Sequence, residues 1–158
     1  DLVRSRGLGD VYKRQIGAML CKRHCDVFEP GDHASTYGGN PFACGVALAV
    51  CETIGQAGFL ENVQARGNQL RDGLTAWIDR YPDTFSAVRG WGLINGLVIQ
   101  EAASLTSIDL VKAAMAEGLL LVPAGPKVVR FVPPLIVTAE EVDTALSAIG
   151  RALVTAIG

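Results

Sequence analysis

Hydrophobic positions change their period along the chain, and each change marks an element. Residues 16–22 (IGAMLCK) form a short apolar run ending at a charge, the pattern of a buried strand. Residues 26–41 are rich in Gly, Pro, Asp, Asn and Ser and predict a loop. Pro41 then opens a helix to about Gly55, since its missing N–H would be unpaired in the first turn anyway. Small apolar residues recur on every face of that helix, so it should be buried. From Phe59 to Tyr81 apolar residues (Phe59, Leu60, Val63, Leu70, Leu74, Trp77, Ile78) alternate at helical spacing with charged and amide residues, giving a long helix with one wet face. Pro82 ends it, because helix is disfavoured at the residue before a proline.

Two strands follow, near Phe85–Arg89 and Leu93–Ile99, with Gly90-Trp91-Gly92 as a bend or bulge between them. Ser107 to Glu117 predicts a helix with Asp109 in its first turn and Gly118 as its stop. Leu119–Val122 and Val128–Val132 read as strands around a Pro-Ala-Gly-Pro turn. Thr138 and Glu141 make a capping box for a last helix to about Ala156. Strands and helices mix without strict βαβ alternation, which favours an α+β layer with helices over one face of a small sheet.

Composition narrows the function classes. The chain has 158 residues, 49% hydrophobic and 19% charged, which excludes a disordered chain. A net charge of −2 argues against nucleic acid and against an anionic membrane surface. The longest apolar run, Phe42 to Cys51, is about half of the ~20 residues a spanning helix needs. Four cysteines without a C-x-x-C pair fit free thiols in a reducing cytoplasm. A metal module on Cys21, His24 and Cys25 is the weaker alternative, and no metal is expected.

Three stretches carry candidate chemistry. His33-Ala34-Ser35-Thr36-Tyr37-Gly38-Gly39-Asn40-Pro41 sets two hydroxyls and two glycines before a helix start, an arrangement for phosphate or equally a plain capping turn. Arg130 lies inside an apolar strand, where a buried guanidinium needs a carboxylate from substrate or protein; an edge arginine reaching to water is the alternative. Val88-Arg89-Gly90-Trp91-Gly92-Leu93 reads most simply as bend chemistry.

Together the phrases IGAMLCK, HASTYGGNPFACGVALAV, VRGWGLINGL and GLLLVPAGPKVVRFVPPLIVT resemble the C-terminal part of class-III aminotransferases, pyridoxal-phosphate enzymes of fold type I. Within that class the acetylornithine aminotransferase subgroup is the nearest likeness. The resemblance runs from about Ile16 to the end. It implies residues 16–57 as the end of the large domain with the cofactor-phosphate loop and linking helix, and residues 58–158 as the small C-terminal domain. It implies that Thr36 reaches the cofactor phosphate of the neighbouring subunit of a homodimer, that Ser35 contacts substrate, and that Arg130 pairs with the substrate α-carboxylate. His33 is expected to be structural, and Gly38, Gly39 and Asn40 to shape the loop. The implied reaction moves an amino group from N-acetylornithine to 2-oxoglutarate, in arginine biosynthesis; ornithine, succinylornithine or 4-aminobutyrate are the rival donors.

Two departures stand out. Val98 occupies a position where many members are acidic, which opens the substrate subgroup. The family's Schiff-base lysine precedes the IGAML segment in a glycine-rich run, and residues 1–15 match neither that run nor its spacing. Lys13 lies too close to Ile16, and Arg6 stays protonated. The expectation is a foreign segment at 1–15, no catalytic residue in the chain, and a fragment inactive alone or a non-catalytic remnant.

Overall fold

The computed structural model describes residues 16–18, 20–36 and 38–157. The expected foreign segment and Lys13 lie outside the described residues. The chain divides into two compact units, residues 1–56 and 57–158.

In the first unit, a single 3-10 turn (Arg23–Cys25) precedes helix α1 (Pro41–Ile54). Asn40 caps α1: its side-chain oxygen accepts from the amides of Phe42 (3.0 Å) and Ala43 (3.3 Å). Two expectations fail here. The described residues of 16–22 form no strand and are exposed, Leu20 to 97%. A strand needs a hydrogen-bonded neighbour, and the described residues of this unit supply none. Helix α1 is also not buried: Ala43 alone is, while Phe42 and Leu48 are 71% and 60% exposed. Helix α1 is the one long element described in this unit, so the described residues of the unit build no second layer against it.

The second unit runs α2 (Phe59–Arg80), β1 (Phe85–Trp91), β2 (Ile94–Ile99), α3 (Ser107–Ala116), β3 (Val122–Pro123), β4 (Val128–Phe131) and α4 (Ala139–Ile157). The four strands form an antiparallel sheet in the order β1-β2-β4-β3. This is the expected α+β layer. Helix α2 packs on β1 and β2, α3 on β3 and β4, and α4 against both α2 and α3. Between them lie Leu70, Leu74, Phe85, Leu97, Ile99, Leu110, Val129, Phe131, Ile149 and Leu153, all 3% exposed or less. Truncating one such leucine to alanine costs about 2–5 kcal/mol.

Local chemistry sets the boundaries. Thr106 and Asp109 form a reciprocal capping box on α3, and Thr138 and Glu141 do the same before α4. The predicted strand from Leu119 shrinks to Val122–Pro123 because the Leu119 amide closes the end of α3, donating to Ala114 at 2.9 Å around Gly118 (φ +80°). The Gly90-Trp91-Gly92 bend is also smaller than expected. Strand β1 continues through Trp91, which pairs with Ile94, and only Gly92-Leu93 turn the hairpin. The irregularity in register lies instead between Phe85 and Ala87.

Candidate functional site: a hydroxyl loop and an arginine on an open sheet face

The loop before α1 is organised by its own side chains. The amide of Gly38 donates to Ser35 Oγ at 2.9 Å, closing a tight turn. A Cβ at Gly38 would stand 2.9 Å from the Ser35 Cβ, so the turn requires glycine there. Gly39 takes φ +71°, in the left-handed region that favours glycine. Because Asn40 occupies the first free amides of α1, the helix start is satisfied internally and offers no open amide pair to an anion at those positions. What remains is hydroxyl chemistry. Ser35 Oγ accepts within the turn and keeps its proton to donate; Thr36 is exposed and takes no part in these loop bonds. His33 is exposed as well.

In the second unit, alternation along β4 decides the position of Arg130. Val129 (0% exposed) and Phe131 (3%) turn to the helices. Arg130 therefore turns to the opposite face and is exposed, which corrects the expectation of a buried guanidinium. The reason is that the helices of this unit pack against one face only, so strand membership did not entail burial. Nor is it an edge residue: β4 lies between β2 and β3, and Arg130 pairs with Gly96 and Val122. Among the described residues the ion pair recorded is Arg151–Glu117, at 2.5 Å, so the Arg130 guanidinium faces solvent without a carboxylate.

Sequence reasoning missed Arg89. In the sequence it stands beside glycines that suggest bend chemistry, yet in the fold it is exposed on the same face as Arg130, with Gly96 between them. Only the pairing of three strands reveals this; the available signal was its period-two spacing from Ala87 and Trp91. Cys21, His24 and Cys25 are exposed, and the described residues contain no group of three His, Cys, Asp or Glu able to hold a metal. No single described helix is long and apolar enough to cross a membrane.

The "Aminotransferase class-III" family model matches residues 14–153. The acetylornithine aminotransferase of Nostoc sp. is 64% identical over 151 residues, 96% of this chain and 35% of that protein. That of Synechocystis sp. is 60% identical over 142 residues, 90% and 33% of the two chains. The chain thus spans about a third of the length of the curated relatives it matches. Among solved structures, the acetylornithine aminotransferase from Elizabethkingia anophelis aligns with a TM-score of 0.74 and 32% identity, covering 82% of this chain and 32% of that one. An ornithine aminotransferase from Toxoplasma gondii, reported with partial occupancy of PLP at its active site, aligns at 0.74 and 30%, covering 82% and 30%.

Proposed function

The chain belongs to the class-III aminotransferase family, and from that premise we propose that it is the substrate-carboxylate and cofactor-phosphate portion of an acetylornithine aminotransferase. The parent enzyme moves an amino group between N-acetylornithine and 2-oxoglutarate, in arginine biosynthesis in the cytoplasm, as a homodimer. The observation that carries the reading is Arg130, a solvent-facing guanidinium on a central strand with no carboxylate of the described residues paired to it. Its planar fork grips a carboxylate through two parallel N–H···O bonds. An α-carboxylate is common to the amino donor and the 2-oxo acceptor, so one arginine serves both halves of the reaction.

Thr36 would donate its hydroxyl to the phosphate of the neighbouring subunit's pyridoxal phosphate; that hydroxyl is exposed and makes no hydrogen bond among the described residues, which fits such a group. Ser35, whose proton remains free in the turn, donates to substrate at the same entrance. When bound, pyridoxal phosphate supplies the electron sink for negative charge at the substrate α-carbon. The lysine that takes up and returns the α-proton belongs to the remainder of the parent, so this chain alone is expected to be inactive.

The test is Arg130→Ala in an enzyme completed with the remaining two-thirds of a relative. Charged hydrogen bonds contribute about 1.5–3 kcal/mol each. The expected result is a fall in kcat/KM of roughly 10²-fold or more for both substrates, carried by KM, with an unchanged melting temperature. Unchanged kinetics with lost stability would assign Arg130 to structure instead. Ornithine as the donor is the second reading, favoured by the likeness to an ornithine aminotransferase; the ratio of rates on acetylated and free ornithine separates the two.

A further inference from the structure

Asn95 lies in β2 with 0% of its surface exposed, and the residue after it is Gly96. Of the chain's asparagines only this one is followed by glycine; Pro, Val and Gln follow Asn40, Asn62 and Asn68. An Asn-Gly step is open to deamidation because glycine has no Cβ to obstruct attack by its own backbone nitrogen. The Gly96 nitrogen gives its proton to solvent and bonds to Asn95 Cγ, the Cγ–Nδ2 bond breaks, and the amide leaves as ammonia. Water then opens the five-membered imide at either carbonyl, leaving aspartate or isoaspartate at 95. The net change is amide plus water to carboxylate plus ammonium, and no oxidant or other reactant is consumed.

The fold opposes each part of this step. Closing the imide turns Asn95 out of the extended backbone, yet Asn95 pairs with Gly90 and Phe131, and Gly96 with Arg89 and Arg130. The leaving group is held as well: Nδ2 donates to the Gly92 carbonyl at 2.9 Å, which aims the amide back toward the hairpin turn. Charge building on Oδ1 meets no donor, since that oxygen is buried without a hydrogen-bond partner among the described residues. All of these obstacles lapse together when the β1–β2 hairpin opens.

The product does not fit the place it came from. Aspartate at 95 would set a carboxylate oxygen where the Gly92 carbonyl now receives a donor, at a position without solvent. Isoaspartate would add a methylene to the backbone of a strand paired on both sides.

We propose that Asn95-Gly96 is a deamidation site kept closed by the fold, so that opening of the hairpin, and not exposure of the folded chain, sets the lifetime of the second unit.

The chain is incubated at mildly alkaline pH across a urea series. Conversion at each asparagine is read by peptide mass after digestion in acid, and the opened fraction of β2 by amide exchange. Conversion at Asn95 should be at least about 100-fold faster in unfolding urea than in buffer, and should follow the opened fraction between these limits. Asn40, Asn62 and Asn68 should lag behind Asn95 in urea. Gly67→Ala, which sets a Cβ against the Gly92 backbone, should raise the rate in buffer by the factor by which it raises the opened fraction. Deamidated chain, separated by its added charge, should melt well below the original. Equal rates in buffer and in urea, a rate that ignores the opened fraction, or a deamidated chain as stable as the original overturns the proposal.

Discussion

Replacing Gly67 with alanine should destabilise the second unit, although alanine is the better helix former. Gly67 lies buried in α2 where the helix meets the β1–β2 hairpin. A Cβ there would stand 2.5 Å from the Gly92 carbonyl oxygen, 2.7 Å from its carbon and 3.1 Å from its Cα. These are backbone atoms of a tight turn, held further by Asn95, whose Nδ2 donates to the same Gly92 oxygen at 2.9 Å. Helix propensity favours alanine by about 1 kcal/mol. Forced overpacking typically costs about 1–3 kcal/mol, and a backbone obstacle places this site at or beyond the upper end. The net loss should be about 2 kcal/mol, a drop of roughly 10 °C in Tm for a unit of this size. Gly73→Ala is the control in the same helix. Its Cβ would meet only the end of the Leu146 side chain, which can turn aside, so the loss should be clearly smaller. Gly45→Ala in α1 meets nothing within 4 Å and should raise local helix stability by about 1 kcal/mol. Thermal and urea unfolding read the first two, and amide exchange the third. A Gly67→Ala chain as stable as the original would refute the close packing of α2 on the hairpin.

Asn40→Ala should remove the cap of α1 at a cost of about 1 kcal/mol, seen as faster exchange of the Phe42 and Ala43 amides. The Asp109 carboxyl is held below its ordinary value by hydrogen bonds from the Thr106 side chain and backbone. A lowered folded pKa stabilises above the unfolded value and loses that contribution as pH falls through the folded one. Asp109→Asn should therefore flatten the acid limb of stability against pH, and an unchanged limb would count against the capping box. Trp91→Ser should change stability by less than about 0.5 kcal/mol, because the indole is 84% exposed on the open face; a large drop in Tm would show that face to be covered.

Local signals made most elements legible. Helix α2 was written in its apolar spacing and ended by Pro82, and the α4 capping box was visible as Thr138 before Glu141, whereas at α3 the sequence showed Asp109 in the first turn and the structure adds Thr106 as its capping partner. Properties set by distant neighbours were not. Alternation in Val129-Arg130-Phe131 says that Arg130 opposes its neighbours, but not that the helices of its unit all pack on the other face. The run IGAMLCK has the composition of a buried strand and no partner here to make it one. Arg89 became a candidate only through pairing that links β1 to β4 across Gly96. Ser35 and Thr36 were legible as hydroxyls before a helix, whereas the closing of that helix start by Asn40 depended on side-chain geometry.

The most direct test of the central claim is to replace the matching C-terminal third of the Nostoc sp. acetylornithine aminotransferase with residues 16–158 and to assay amino transfer to 2-oxoglutarate. The account predicts a folded, pyridoxal-phosphate-loaded hybrid that uses N-acetylornithine in preference to ornithine and 4-aminobutyrate. A hybrid that folds and loads the cofactor but transfers no amino group from N-acetylornithine would contradict it.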